Sequence, residues 1–181
     1  MMIEPDTKDW TWVLERACED CGFDAVTVER SRVGALLREN ARIWAPLLAH
    51  ASASERPDEH TWSALEYACH VRDVFRLFEH RLQLMLAEDG AAFPNWDQDA
   101  TAVDDDYASQ DPTIVAEELA AAGAVLADHF DALPDAAWAR TGVRSDGARF
   151  TIESFSQYLL HDPTHHVWDV RCGHSAIDER R

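Results

Sequence analysis

Basic residues are scarce in this chain. It has 16 Lys and Arg against 34 Asp and Glu in 181 residues, which gives a formal net charge of −18. A surface of this sign repels polyanions, so nucleic acids and acidic membranes are poor partners. Long apolar runs are absent as well, and none approaches the roughly 20 residues needed to cross a bilayer. The first residues include acidic side chains where a secretory signal peptide carries basic ones, which predicts a cytoplasmic protein.

Glycine is also infrequent, with 7 in the chain, and no predicted strand is followed by a glycine-rich turn. This argues against folds that hold a nucleotide or S-adenosylmethionine with such a turn, methyltransferases included. The sequence contains no internal repeat and no low-complexity segment. Its apolar fraction of 46 % instead predicts one globular domain with a buried core.

Cysteine is too sparse for a disulfide framework, and the four cysteines of a cytoplasmic protein are expected to be thiols. Cys18 and Cys21 form the one close pair in the sequence. A Cys-x-x-Cys pair can bind zinc or act as a redox dithiol, but binding zinc requires further ligands. Cys172 and His174, near the other end of the chain, are candidates to complete such a second metal site. The alternative is that all four cysteines are unpaired structural thiols.

Apolar residues recur at helical spacing in four segments, and turn residues separate these segments. The first predicted helix runs from Asp24 or Thr27 to near His50, and Pro46 is expected to kink or end it. The second runs from Thr61 to before Gly90. The third runs from Asp111-Pro112 to Leu133, and the fourth begins at Thr151 with Ser154. Four such helices predict an all-α fold, a four-helix bundle. We expect an irregular N-terminal arm at 1–23, the bundle at 24–175 and a tail at 176–181. Trp10 and Trp12 are expected to dock the arm on the core.

Two links between the helices carry candidate substrate contacts. In the link at 91–110, Trp96 can line a pocket, although the run of aspartates there is also typical of a solvated loop. The segment after the third helix holds three arginines in an otherwise acidic protein, and these are candidates to bind an anionic group: Arg140, Arg144 and Arg149. The Asp146-Gly147 dipeptide in the same segment predicts a hairpin turn.

The last helix contains a pair of histidines, His161 and His165, one helical turn apart. Two imidazoles at this spacing project from one face and can reach the same cation, but the pair needs a third ligand from elsewhere. Pro163 lies between them, so the helix is expected either to bend near His161 or to restart near Asp162. His166 points away from His165 on a helix, which favours a surface or core packing role for it.

Within the second helix, His70 falls on or beside an apolar stripe, whereas His80 lies between charged residues on a solvated face. Two interpretations of His70 are open. It can be a core histidine that is hydrogen-bonded to Glu66 or Asp73, or it can be the missing metal ligand. Taken alone, a single histidine on an apolar stripe favours the first.

Two runs together resemble the DinB-like superfamily over about residues 27–172: Trp62-Ser-Ala-Leu-Glu-Tyr-Ala-Cys-His70 and His161-Asp-Pro-Thr-His165-His166-Val-Trp-Asp169-Val170. This superfamily includes the damage-inducible DinB proteins and the N-terminal domains of mycothiol-dependent maleylpyruvate isomerases. The resemblance implies a four-helix bundle with a three-histidine metal site in its core, usually for zinc or nickel. Carried over position by position, the implied ligands are His70, His161 and His165.

Asp162, Asp169 and Glu66 are candidates to orient the ligand imidazoles from behind, although Asp162 is equally suited to cap a restarted helix. Three neutral imidazoles leave a divalent ion with open positions, where a bound water or thiol is activated. The resemblance implies a metal-dependent thiol S-transferase or isomerase-like enzyme, with mycothiol or bacillithiol as co-substrate and a small electrophile as substrate. The alternative is a non-enzymatic metal-binding stress or interaction protein. No general base is identified, and an exposed apolar bundle face would support a homodimer.

Overall fold

The computed structural model describes residues 9–181, so the first eight residues of the predicted arm lie outside the described part. Five helices and three short strands follow one another in the chain: α1 (Val33–Leu48), α2 (Ala64–Ala87), β1 (Ala91–Phe93), α3 (Gln98–Asp104), α4 (Pro112–Asp131), β2 (Thr141–Arg144), β3 (Arg149–Thr151) and α5 (Ile152–Asp178). The long helices α1, α2, α4 and α5 form the bundle, and the predicted all-α four-helix architecture is confirmed with a minor sheet added. Among the described helices, none has the length and apolarity to cross a bilayer.

Local side-chain bonds explain where three of the four long helices begin. Asp111 caps α4 by accepting from the Thr113 N–H, and a proline occupies the first turn, as expected. Thr151 and Ser154 form a reciprocal capping box at the start of α5. Ser63 and Glu66 form another capping box at the start of α2. This helix therefore begins at Ala64, three residues after the predicted start at Thr61.

The predicted start of α1 is wrong. Asp24 does act as a cap, but of a single 3-10 turn at Ala25–Thr27. A second 3-10 turn at Arg30–Arg32 follows, and α1 begins only at Val33. The helix then continues through Pro46 and ends at Leu48, close to the predicted end near His50.

The sheet closes one end of the bundle. Strands β2 and β3 pair antiparallel, with Gly142 opposite Phe150, and Gly147 takes a φ of +97° in the turn between them. This is the hairpin that Asp146-Gly147 predicts. Strand β1 pairs parallel with β2, Ala91 opposite Gly142, and no feature of the sequence predicted that pairing.

Helix α5 runs without interruption through Pro163. The proline has no N–H to donate to the Leu159 carbonyl four residues earlier, and its ring lies buried in the helix interior. The Thr164 hydroxyl donates to the Leu160 carbonyl over 2.7 Å, which adds a side-chain bond beside the missing backbone bond. The helix does not restart, so Asp162 caps nothing and is free to take part in the site.

Helix α4 packs against α1 and α2 through small residues. A Cβ placed on Gly123 would lie 3.0 Å from the Ala41 Cβ and 3.1 Å from the Phe75 ring. Both partners lie in the buried core, together with the fully buried Trp44 and Leu119. Glycine at position 123 therefore sets how closely the three helices approach.

We expect Gly123→Val to lower the free energy of unfolding by about 1–3 kcal/mol, because the added side chain overpacks this contact. Ala121→Val is the matched control, since Ala121 is exposed on the same helix and loses only about 0.6 kcal/mol of helix propensity. Urea unfolding monitored by circular dichroism measures both. A Gly123→Val protein as stable as the control would contradict the close packing of α4.

Candidate metal centre

Helix α5 carries two overlapping pairs of candidate ligands. His161 and His165 form one pair at a spacing of four, and Asp162 and His166 form the other, one residue later. One residue turns a helix by about 100°, so the two pairs face different neighbours. His161 and His165 face the N-terminal arm, where Trp10 lies against both rings at 5.4 and 5.3 Å. Asp162 and His166 face α2.

On the α2 side, His70, Asp162 and His166 each offer a donor atom, and these atoms all lie within 4.8 Å of one another. His70 Nε2 is 3.4 Å from the Asp162 carboxylate, and His166 Nε2 is 3.8 Å from it. Two ligand atoms on one tetrahedral zinc, each about 2.0–2.1 Å from the ion, are about 3.3 Å apart. Two of the three separations are therefore close to the spacing of a coordinated set, and the third, between His70 and His166, is within 4.8 Å.

The bonding around this group leaves capacity for a cation. His70 is fully buried, and its Nε2 is the nitrogen that faces the Asp162 carboxylate. Asp162 Oδ1 is buried and accepts no hydrogen bond from residues 9–181, although His70 Nε2 lies 3.4 Å from it. Burial alone would raise the pKa of the Asp162 carboxyl, but the neighbouring His70 and His166 lower it to about 2, so this side chain is an ionised acceptor. Two imidazoles and a carboxylate suit a divalent ion such as zinc or nickel.

Asp169 lies behind His166. Its Oδ2 is 2.9 Å from His166 Nδ1, which leaves Nε2 of the same ring directed at Asp162. A carboxylate on the far nitrogen of a ligand imidazole fixes the ring orientation and makes the imidazole a stronger donor. The sequence analysis named Asp169 as a candidate to orient a ligand of the three-histidine set, and the structure places its carboxylate against His166.

The group opens into a cavity of about 330 Å³. Trp96 lines this cavity and stacks on His70, with ring centroids 5.2 Å apart and planes 12° from parallel. Arg81, Arg144 and Tyr158 line it as well. A cavity of this volume is at the small end of the range for ligand sites.

Two guanidinium groups line the cavity, as do the carboxylates of Asp97, Asp99 and Asp162. Arg144 is half-buried, bonded to the Tyr158 hydroxyl and paired with Asp146. Arg81 is 4 % exposed, donates to the Pro94 carbonyl and, among the described residues, has no carboxylate at ion-pair distance. Burial, with repulsion from Arg144, lowers the pKa of Arg81 to about 10, so it is still a cation at neutral pH. The sequence analysis did not single out Arg81; it placed the neighbouring His80 on a solvated face, and His80 is exposed.

On the arm side, Cys18, Cys21, His161 and His165 form a second group with donor atoms within 4.8 Å of one another. Cys18 Sγ is 3.6 Å from His165 Nδ1. Burial, with repulsion from His165, lowers the pKa of His161 to about 4, so its imidazole is neutral at neutral pH. Burial also raises the pKa of the Cys21 thiol to about 11.

The structure thus distributes the predicted ligands His70, His161 and His165 over two groups. Among residues 9–181, His70 does not join the other two in one set of donors within 4.8 Å. Asp162, expected to orient a ligand, and His166, expected to point away, are the residues that face His70 instead. The pair that faces His70 is therefore one residue later in α5 than the predicted pair, which corresponds to a rotation of about 100° around the helix.

Other candidates lie apart from the cavity. The Glu66 carboxylate accepts from Arg56 and from Ser63 at the start of α2. Arg140 donates to the Met85 carbonyl, and Arg149 is exposed on β3. The expected partners of the cysteine pair are also elsewhere: His174 stacks on His50 with centroids 4.2 Å apart, and Cys172 is exposed.

Comparisons with known proteins agree with this fold. The sequence model of the DinB superfamily matches residues 35–170, and the chain belongs to that superfamily. Among solved structures, YfiT from Bacillus subtilis is similar, with a TM-score of 0.65 and 17 % identity over 98 % of this chain and 94 % of that one. YfiT is described as a probable metal-dependent hydrolase with an unusual four-helix bundle topology. No curated protein matches the chain.

Glu66 is expected to contribute to the stability of the fold and not to metal binding. Burial would raise the pKa of its carboxyl, but bonds from Arg56 and Ser63 hold the pKa below the ordinary value of 4.5. Its charge therefore contributes stability that is fully present above pH 4.5 and is lost as pH falls through the lower folded pKa. We expect Glu66→Gln to lower the free energy of unfolding at pH 7 by about 1–3 kcal/mol, with a smaller difference in acid.

Urea unfolding at a series of pH values measures this effect, with the exposed Glu88→Gln at the end of α2 as control. Metal content, measured in parallel, should not change in either variant. A Glu66→Gln protein that keeps its stability but loses metal would show that Glu66 acts on the metal centre.

Proposed function

We propose that this protein is a metal-dependent enzyme whose ion is held by His70, Asp162 and His166. One observation carries the proposal: three donors from two helices converge within 4.8 Å at the wall of a cavity. A divalent ion with such a ligand set supplies Lewis acidity and lowers the pKa of a bound water or thiol towards neutrality. Three protein ligands leave at least one position open, as in catalytic rather than structural sites.

The part of the cavity wall around Arg81 favours a substrate that carries a negative charge. Arg81 is a buried cation without a carboxylate partner in the described chain, and Arg144 lies near it on the same wall. An uncompensated buried charge costs several kcal/mol, and an anionic substrate would offset that cost. Trp96 offers a flat apolar surface beside His70, so the substrate would place an apolar or planar part there.

Hydrolysis is the reaction that these features support best. Two histidines and one carboxylate form the kind of ligand set that hydrolytic zinc enzymes use. A volume of about 330 Å³ suits one small substrate beside a water. The structurally similar YfiT is described as a probable metal-dependent hydrolase. At 17 % identity, however, the similarity supports a shared fold and not a shared reaction.

Thiol transfer is the second candidate. A coordinated thiol is deprotonated by the same ion, and the superfamily resemblance implies mycothiol or bacillithiol as the thiol. Arg81 and Arg144 would then bind an anionic electrophile. The two reactions separate in one assay of the metal-loaded protein, which follows ester or amide cleavage without thiol and thiol consumption with it. A blank in both, over a broad panel, would favour a non-enzymatic metal binder.

We expect His166→Ala and Asp162→Asn to lose one bound metal per chain and to reduce metal-dependent turnover more than about 100-fold, since loss of even an outer partner of a ligand costs 10–100-fold. His80→Ala, an exposed histidine on α2, is the control and should keep both. Elemental analysis of untagged protein and steady-state rates measure the outcome. Because His166 has no role in the predicted three-histidine set, unchanged metal content in His166→Ala would contradict the ligand set proposed here.

Arg81 tests the anionic substrate. Arg81→Met keeps an unbranched apolar stem and removes the guanidinium, whose Cζ lies 5.6 and 4.9 Å from the ring centroids of Phe78 and Phe93. We expect KM for an anionic substrate to rise at least about tenfold, with a smaller change in kcat, because a charged hydrogen bond contributes about 1.5–3 kcal/mol. Unfolding stability should change by less than about 1 kcal/mol, since an unpaired buried charge is costly to the fold. An unchanged KM would exclude Arg81 from substrate binding.

A further inference from the structure

We propose a second metal site, a structural zinc centre formed by Cys18, Cys21, His161 and His165, which fastens the N-terminal arm to α5. Each of the four residues offers a donor atom within 4.8 Å of the others. Two thiolates and two imidazoles are a common ligand set of closed, four-coordinate zinc sites. This centre is separate from the proposed catalytic ion, which involves none of these side chains.

The distance between Cys18 and His165 fits a shared ion. In a tetrahedral site with Zn–S of about 2.3 Å and Zn–N of about 2.0–2.1 Å, sulfur and nitrogen ligands are about 3.5 Å apart. Cys18 Sγ and His165 Nδ1 are 3.6 Å apart. The contact joins residues 147 positions apart in the chain, so an ion there would be a long-range cross-link.

The backbone of the arm presents the two sulfurs together. The Cys18 N–H donates to the Phe23 carbonyl over 2.8 Å, and the Gly22 N–H donates to the Cys18 carbonyl over 2.9 Å. Gly22 has a φ of +74°, a conformation that other residues rarely adopt. The glycine directly after Cys21 therefore lets the chain turn back on itself, and both thiols face α5.

One donor of the group has no protein partner. His161 is 4 % exposed, and its Nε2 makes no hydrogen bond within the described chain. A buried polar atom without a partner costs about 1–3 kcal/mol in general, and a metal bond at this nitrogen removes the deficit. The rings of Trp10, Trp12 and Phe23 lie 5.4–6.2 Å from the His161 ring and keep water away from it.

The charge of the group also favours zinc over an empty pocket. Two thiolates balance the two charges of the ion, and the imidazoles are neutral ligands, so the filled site has no net charge to bury. Cys18 is 2 % exposed, which suits a coordinated sulfur and not a redox thiol that must meet a partner. The four side chains would fill all four coordination positions of the ion, so this centre has none left for a substrate.

Cobalt substitution in the full-length protein tests the site. We expect Co²⁺-loaded protein to show a thiolate-to-cobalt charge-transfer band and strong tetrahedral d–d bands. Cys18→Ser and Cys21→Ser should lose the charge-transfer band, whereas Cys172→Ser, an exposed cysteine, is the matched control and should keep it. His70→Ala should also keep the band, so failure of this proposal is distinguishable from failure of the catalytic one.

Thiol alkylation of the wild-type protein avoids the risk that a variant misfolds. Added zinc should slow modification of Cys18 and Cys21 more than about tenfold, because coordinated thiolates are withheld from the reagent, and should leave Cys172 unchanged. Treatment with a chelator should restore the reaction and speed proteolysis at 15–24. Equal alkylation rates with and without zinc would overturn the proposal, as would recovery of Cys18 and Cys21 as a metal-free disulfide from reducing buffer.

Discussion

The rotational position of α5 is the constraint on which both candidate sites depend. The helix contacts α2 along one face and the N-terminal arm along another, and each residue turns the face by about 100°. The apolar side chains between these faces hold the rotation in place: Leu159, Leu160, Val167 and Val170 are all buried. With the rotation held, Asp162 and His166 face His70 on α2. His161 and His165 face Cys18 and Cys21 in the arm and also line the edge of the same cavity. Pro163 leaves this arrangement intact because the helix passes through it without restarting, so the positions on either side remain in register.

The bundle is largely predictable because its helices are specified locally. Asp111 with Pro112, and Thr151 with Ser154, are short-range patterns whose bonds appear in the structure as the sequence predicts. The start of α1 is different, since Asp24 is an equally good cap for a single 3-10 turn, and packing decides how far the helix extends. The parallel pairing of β1 with β2 joins segments about fifty residues apart, and short strands of three or four residues carry too little pattern to reveal such a partner.

The candidate site shows the same division between local and long-range information. The sequence identifies the segment of α5 and the residue of α2, but it contains two ligand pairs at the same spacing and nothing local to choose between them. The choice is made by what α5 packs against. Arg81 was missed for a related reason: an arginine is expected on the surface, and only the tertiary structure shows that its own face is buried. The sequence analysis identified Cys18 and Cys21 as a candidate metal-binding pair but named Cys172 and His174 as the further ligands. The nearest donors in the structure lie on α5 instead, and His165 is 147 positions from Cys18 in the chain.

Two metal centres on adjacent faces of one helix would have different tasks, and their ligands differ accordingly. Sulfur ligands and a closed shell would make the proposed arm-side centre inert, whereas nitrogen and oxygen ligands with an open position would make the proposed α2-side centre reactive. Asp169 lies between them, with Oδ2 2.9 Å from His166 Nδ1 and Oδ1 3.7 Å from His165 Nε2. Trp10 is a second link, because it packs on His161 and His165 and also lines the cavity. An ion on the arm side would therefore order one wall of the cavity and the carboxylate behind a catalytic ligand, and so support the reactive centre without touching the substrate.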